Sequence, residues 1–334
     1  MVASGKKWGD YIVQHQNDPI NDAALSADYY DGERTFYQIS DYLSQAEPWT
    51  TYANAAEVVY RDRYAIGSNY QLPGYWRFPD GIYFDAVRNN DATSRAGIVL
   101  IRDVPAVSDP DTNQWAYSFW YQDVSREVAY ALRAHILAER AGNSRVAARV
   151  PLYVQMALKH MEEWRTQQFA NPDPTQHFYT PFMFGLTGEA LIDYYEWEVE
   201  QGRNPGSAIP DAIKACADYT WNAPVVDQPG DKMWIPNIDN SGYGGFRYGD
   251  RTWSHDGDGG NPDPAPDLNM LIAPIYAWLY KHFGEGKFLD QGDQIWKGGV
   301  MLTDNDWSGK LFNQNYRWSF AYVKWRQEGQ ARCP

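Results

Sequence analysis

Acidic side chains set among aromatics and glycines are where this chain can do chemistry. Asp123 lies in the stretch SFWYQDVSREVAYAL, one helical turn from Phe119 and Glu127 and beside Trp120. A carboxylate in an apolar aromatic wall is disfavoured as an anion, so its pKa rises, which suits a general acid. The competing reading is an ion pair, Asp123 or Glu127 with Arg126 or Arg133. The densest polar cluster is WSHDGDGGNPDPAPD, residues 253–267, with His255, Asp256, Asp258, Asn261, Asp263 and Asp267. Cleavage of a glycosidic bond needs two carboxylates, one to protonate the leaving oxygen and one to activate water. The expected pair is Asp123 with Asp256 or Asp258, with Asp267 and Asp80 in reserve. Asp80 and Asp267 also read as helix caps, because an Asp at a helix start accepts from unpaired backbone N–H groups.

The 253–267 segment carries a second reading. Asp256-Gly257-Asp258 with Asp267 at the twelfth position partly mimics a calcium loop of the EF-hand type. The mimic fails at the fifth and sixth positions, Gly260 and Asn261, and its last ligand is Asp instead of Glu. A solvated loop and a substrate lid are the other readings of the segment. No cofactor is expected; calcium is the one ion the loop would admit. The expected substrate contacts are Tyr75, Trp76, Trp120, Tyr243 and Trp253 for stacking, and Arg247, Asn269 and Arg317 for polar recognition. Flat apolar faces with a polar rim suit a sugar ring.

These residues need elements to hold them. Helical periodicity is readable over 34–46, 50–65, 79–89, 92–104, 118–141, 146–168, 181–201, 207–221, 267–283, 288–303 and 313–327. Short turns alternate with long aromatic-rich loops at 66–78, 105–117, 169–180, 222–266 and 304–312. Short turns join antiparallel neighbours, so the pattern predicts helical hairpins in one domain, with every long loop at the same end. The segment near Trp8–Gln16 would partner the last helix. Strands are expected only as short hairpins inside loops. His135, His160 and His282 fall on helices and read as ordinary structural histidines, whereas His177 and His255 fall in the long loops.

REVAYALRAHILAERAGN, TPFMFGLTGEALIDYYE and DLNMLIAPIYAWLYKHFGEGKFLDQGDQI read as inner helices followed by glycine turns and amphipathic outer helices. With these the chain resembles the α/α-toroid carbohydrate-active enzymes, the six-hairpin glycosidases and lyases. The resemblance implies an all-α (α/α)-toroid whose cleft sits where the inner helices begin, and a poly- or oligosaccharide substrate. It singles out no family within that class.

Composition bounds the rest. The chain has 15 Trp, 25 Tyr and 13 Phe, 16% aromatic in all, at a mean hydropathy of −0.61, so aromatics are expected on a ligand surface as well as in the core. The net charge of −14 and the lack of a basic patch argue against a nucleic-acid partner and an anionic membrane surface. No stretch is apolar enough to span a bilayer. Cys216 and Cys333 read equally as a disulfide or as two separate thiols. A secreted or periplasmic home is expected on the carbohydrate reading. The sequence also lacks a nucleophile elbow, a phosphate loop and an H-E-x-x-H site.

Three functions fit. The first is a glycoside hydrolase working through the carboxylate pair. The second is a polysaccharide lyase acting on a uronate, with Arg247 and Asn269 neutralising the sugar carboxylate and His255 or Tyr243 as the base. The third is a glycan-binding protein without catalysis.

Overall fold

The computed structural model describes residues 1–19, 23–103, 120–255 and 258–332. The described helices are α1 (Val2–His15), α2 (Ala23–Asp28), α3 (Gly32–Leu43), α4 (Trp49–Glu57), α5 (Pro79–Arg88), α6 (Ala92–Asp103) and α7 (Ser125–Arg140). They continue as α8 (Arg149–Thr166), α9 (Pro181–Glu200), α10 (Ala208–Asn222), α11 (Asn269–Phe283), α12 (Gly286–Leu302), α13 (Gly309–Tyr316) and α14 (Ser319–Arg332). The all-α expectation holds. Two starts shift: α7 begins at Ser125, not near 118, and the last expected helix is two, α13 and α14. The expected helix 50–65 is α-helical only to Glu57 and continues as a π-helix, Val58–Ala65.

The chain divides into two compact units. The first comprises Met1–Asn113, Tyr130–Val150 and Asp304–Phe320. Within it α3 packs on α4, α5 on α6, and α1 on α4. Local chemistry sets the ends. The Asp31 side chain caps α3 by accepting from Arg34 N, and α5 opens on Pro79, whose missing N–H costs nothing in a first turn. Ser308 caps α13 by accepting from Leu311 N. The core of this unit is largely aromatic: Phe36, Trp49 and Tyr52 pack against one another, and Phe36 stacks on Phe312.

The second unit comprises Gln114–Ala129, Pro151–Thr303 and Ala321–Pro334. Helix α11 is buried all along its length from Asn269 to Tyr280, as the apolar run predicts for an inner helix. Helix α9 lies against it through Gly185 and Gly188; a Cβ at Gly185 would overlap the Leu271 carbonyl. Gly284, at φ 72°, ends α11 by turning left-handed and returning its N–H to Tyr280 O. Strands are confined to loops, as expected. β1 (Trp234–Ile235) pairs with β2 (Gly245–Phe246), and β3 (Trp253–His255) with β4 (Asp258–Gly260), both antiparallel.

Loop 105–117 lies outside the described residues; the described long loops are held within their own units. In the first, Trp76 and Phe78 of loop 66–78 meet Tyr29 edge to face, and Asn313 of α13 donates to Ala27 O at 2.8 Å and Tyr29 O at 3.0 Å. In the second, loop 169–180 joins loop 222–266. Asp250 Oδ1 accepts from Tyr179 N at 3.0 Å, and Phe178 stacks on Trp253 with centroids 4.3 Å apart. Many of the abundant aromatics are core: Trp49, Trp164, Trp278, Tyr153, Tyr179 and Tyr276 are fully buried. Cys216 is buried, which pushes its thiol up out of the reactive range; Cys333 lies outside the described residues.

Candidate functional site

The first unit holds a buried cluster of carboxylates and guanidinium groups where α3, α5 and α13 meet. Its organiser is the sharp turn between α2 and α3, where Tyr30 (φ 68°) and Asp31 (φ 72°) both adopt the left-handed conformation. Two consecutive non-glycine residues there are strained, and such strain concentrates at functional sites. The turn aims Asp31 at two helix starts at once. Its Oδ1 accepts from Arg34 N of α3 at 3.1 Å, and both its oxygens accept from Gly81 N of α5 at 3.1 Å. Gly81 permits this approach, since a Cβ there would collide with Asp31 and Glu33.

Next to Asp31 lies Asp80, in the first turn of α5. Arg133 of α7 grips it, with Nε 3.3 Å from Oδ2 and Nη2 on Oδ1, while Arg34 Nη1 lies 3.4 Å from Oδ1. Arg317, just past α13, completes the set. Its guanidinium stands 5.7 Å from the ring centres of both Tyr30 and Tyr130. All of these charged groups are buried.

The environment separates the two acids. Burial and then repulsion from Asp80 push Asp31 up to about 6, against the pull of Arg34 and the two backbone N–H groups. Burial also acts upward on Asp80, but Arg133, Arg34 and Arg317 outweigh it and hold the carboxyl at about 2. Asp28 is raised by burial and by Asp31, and Glu33 by burial and by Asp31, Asp85 and Asp28. One acid is thus locked as an anion among cations, beside another whose charge is costly.

An aromatic rim covers the cluster. Tyr29 meets Trp76 edge to face at 4.5 Å, and Phe78 packs against Tyr29, Tyr30 and Tyr130. The buried Tyr60 hydroxyl fixes the loop by donating to Trp76 O at 2.6 Å and accepting from Phe78 N at 2.8 Å. Trp76 is half-buried, Tyr75 is 43% exposed, and Lys310 Nζ lies 5.3 Å from the Tyr29 ring.

Three residues named from the sequence lie at this site, Asp80, Trp76 and Arg317; Tyr75 is the exposed chain neighbour of Trp76. Asp80 is no cap; its carboxylate is committed to arginines. The sequence reading missed Asp28, Asp31, Glu33, Arg34 and Arg133 as site residues. The legible trace was DGER at 31–34 with PDG at 79–81. Each puts an acid and a glycine together at a helix start.

The other expected residues fall in the second unit. Asp123 lies in a 3-10 turn ahead of α7 and accepts from Asn171 Nδ2 at 3.1 Å. Burial raises its pKa, opposed by that bond, and Glu127 and Glu163 add repulsion. Of the ion pair expected, Asp123 or Glu127 with Arg126 or Arg133, the structure shows Glu127 with Arg126 at 3.3 Å, while Arg133 grips Asp80. Trp120 is half-buried, and its carbonyl accepts from Lys159 at 3.3 Å. His177 stacks on Phe169, with its Nε2 2.6 Å from Asn171 O.

Several expected substrate contacts are spent on the fold. Trp253 lies parallel to the rings of Phe178 and Tyr248, and Gly249 and Gly260 close on it so tightly that a Cβ at either would overlap the indole. Those glycines admit a tryptophan, not a ligand. Arg247 clamps its own loop through Asp231 Oδ2 at 2.7 Å and Pro262 O at 2.7 Å. Asn269 is wholly buried. Its Oδ1 accepts from Phe246 N at 3.1 Å, and its Nδ2 donates to Gly244 O and Ile295 O. Tyr243 borders an open cavity of about 480 Å³ with Gln294, Lys297 and Met301. Asp267 lies in the 3-10 turn leading into α11.

Asp256 lies outside the described residues, as do the side chains of His255 and Asp258. The backbones of His255 and Asp258 pair across the β3–β4 hairpin. Elsewhere in the segment the described backbone pairs over 258–260 and makes a 3-10 turn at Pro266–Leu268.

Comparison with known proteins gives a fold and no family. No family model matches the chain, and no curated protein matches it. Among solved structures, the crystal structure of a D-mannose isomerase matches with a TM-score of 0.53 and 14% identity, over 91% of this chain and 86% of that one. At that identity the likeness shows the fold, an all-α (α/α)-toroid.

Proposed function

We propose that this chain is an enzyme acting on a carbohydrate, with its chemistry centred on Asp31 and the arginines around Asp80. The carrying observation is the cluster itself: a carboxylate aimed by two helix starts, next to a second one gripped by arginines, under an aromatic rim. Within that reading we favour proton transfer between neighbouring carbons of a free sugar, an aldose–ketose isomerisation. Asp31 exchanges the proton, and the guanidinium groups of Arg34, Arg133 and Arg317 face the oxygen on which negative charge develops. Trp76 and Tyr75 supply the flat surface for the sugar ring. The fold likeness to a D-mannose isomerase agrees with this choice.

Glycoside hydrolysis is the second reading. It needs two working carboxylates, and Asp80 is a poor one because its oxygens are committed to arginines. Asp28, whose Oδ1 has no hydrogen-bond partner among the described residues, would have to take the second role beside Asp31.

The test is a panel of aldoses, ketoses and oligosaccharides incubated in deuterated water. Isomerisation interconverts aldose and ketose and places deuterium on the sugar carbon; hydrolysis releases reducing ends without labelling carbon. An absorbing unsaturated product would point to elimination. Asp31→Asn should remove turnover by at least about a hundredfold, the ordinary contribution of an acid–base group. Full turnover in Asp31→Asn would refute the assignment.

A further inference from the structure

A second group of acids in the same unit shares Glu33 with the cluster around Asp31, and its argument does not use the catalytic role given to Asp31. Glu33 of α3, Glu57 at the end of α4 and Asp85 of α5 each offer a carboxylate oxygen, and these atoms all lie within 4.8 Å of one another. The three residues are 1%, 8% and 2% exposed. They come from three helices that pack together.

Arg61 does not balance this group. Its Nη1 is shared among Glu57, Asp85 (3.1 Å), Asp91 (3.2 Å) and the Ser94 hydroxyl (2.6 Å), and its Nε serves Asp62 at 2.7 Å. Glu33 is left over. Both its oxygens are buried and have no hydrogen-bond partner among the described residues. An ionised carboxylate offers only acceptors and ordinarily takes several donors when buried. Three carboxylates against one guanidinium leave two negative charges out of water, an arrangement that folding disfavours unless a cation answers it.

We propose that Glu33, Glu57 and Asp85 bind a hard divalent cation that ties α3, α4 and α5 together. The charge closes: two excess negatives meet one divalent ion. The spacing fits as well. Oxygens bound about 2.3–2.6 Å from one ion lie at most about 5 Å apart. An all-carboxylate set selects calcium, magnesium or manganese over softer metals. The π-helix that begins at Val58, directly after Glu57, adds a local distortion of the kind that recurs at functional sites.

The experiment uses the full chain stripped with a chelator and dialysed into metal-free buffer. Calcium, magnesium and manganese chlorides are titrated separately by calorimetry, with free manganese followed by its paramagnetic resonance. The expected result is one saturable ion per chain for at least one of the three, with a midpoint of thermal unfolding that rises and then levels off. Glu33→Gln should weaken binding at least tenfold. It should also reverse the order of stability: the variant exceeds wild type without metal, because a buried charge is gone, and falls below it at saturating metal. Glu57→Gln repeats the binding test if Glu33→Gln does not fold. No saturable binding to the stripped wild type overturns the proposal. So does binding that Glu33→Gln leaves intact, or a Glu33→Gln chain more stable than wild type at every metal concentration.

Discussion

Replacing Asp80 by Asn is the sharpest probe of the arginine cluster. The carboxylate is buried and answers Arg133, Arg34 and Arg317, so removing its charge strands guanidinium groups where water cannot solvate them. Removing one partner of a buried ion pair costs about 3–5 kcal/mol. Linkage gives an independent figure. A carboxyl held by arginines below its ordinary range when folded contributes on the order of 2 kcal/mol at neutral pH. The sign is that of a depressed acid: the contribution is present above the unfolded pKa and is lost as pH falls through the folded one. The linkage figure is the smaller because protonation leaves a hydrogen-bonding carboxyl in place. Thermal unfolding followed by circular dichroism should show a drop of about 6–10 °C for Asp80→Asn at pH 7, at about 2 °C per kcal/mol for a chain of this size. The gap to wild type should shrink in acid. Asp80→Asn with Arg133→Gln should cost less than the sum of the two single changes, because each partner's charge is then no longer left alone. A drop under about 2 °C, or strict additivity, would refute the claim that this pair is coupled.

Three further outcomes follow. Burial, together with Arg102 and Arg149, pushes His135 down to about 4, against a bond to Ala131 O and the attraction of Asp103. Stability should therefore fall by about 3 kcal/mol as pH drops from about 6.5 to about 4. That limb of a denaturation series should vanish in His135→Gln. Asn269→Ala abandons the Phe246 N–H and the carbonyls of Gly244 and Ile295, and should cost about 2–4 kcal/mol by urea titration. Gly185→Ala drives a methyl group into the Leu271 carbonyl and should cost about 1–3 kcal/mol in the same assay; a neutral result would mean α9 and α11 are less tightly apposed than drawn.

Much of the helical array was legible because its signals are local. Pro79 and Pro181 open helices, Gly284 closes one, and the apolar run from Met270 to Tyr280 leaves little but a buried helix. The misplaced starts have physical reasons. Residues Gln122–Val124 make a tighter turn before α7 settles, and α13 ends at Tyr316, directly before Arg317, whose guanidinium lies near the rings of Tyr30 and Tyr130. Trp253 shows where composition misleads. An aromatic in a glycine-rich loop looks like a sugar platform, and only the structure shows Phe178, Tyr248 and the glycines closing on it.

The site was harder to read because its meaning is not local. Asp31 in a sequence is a helix cap, and it does cap α3; what sets it apart is that Gly81, distant in the chain, brings a second helix start onto the same carboxylate. Glu33 and Arg34 lie in the first turn of α3, and both are buried. A glycine placed directly after an acid in a helix's first turn, as at Asp80-Gly81, weakens the helix without a local reason. Such a cost points to close approach by another backbone or side chain. Here the approaching group is an acid, so the signal is a request for compensating charge. Arg133 and Arg317 answer it around Asp80, and no side chain among the described residues hydrogen-bonds Glu33. That asymmetry makes the two halves of the buried cluster physically different: one is neutralised by the chain, and the other still needs a proton or a cation.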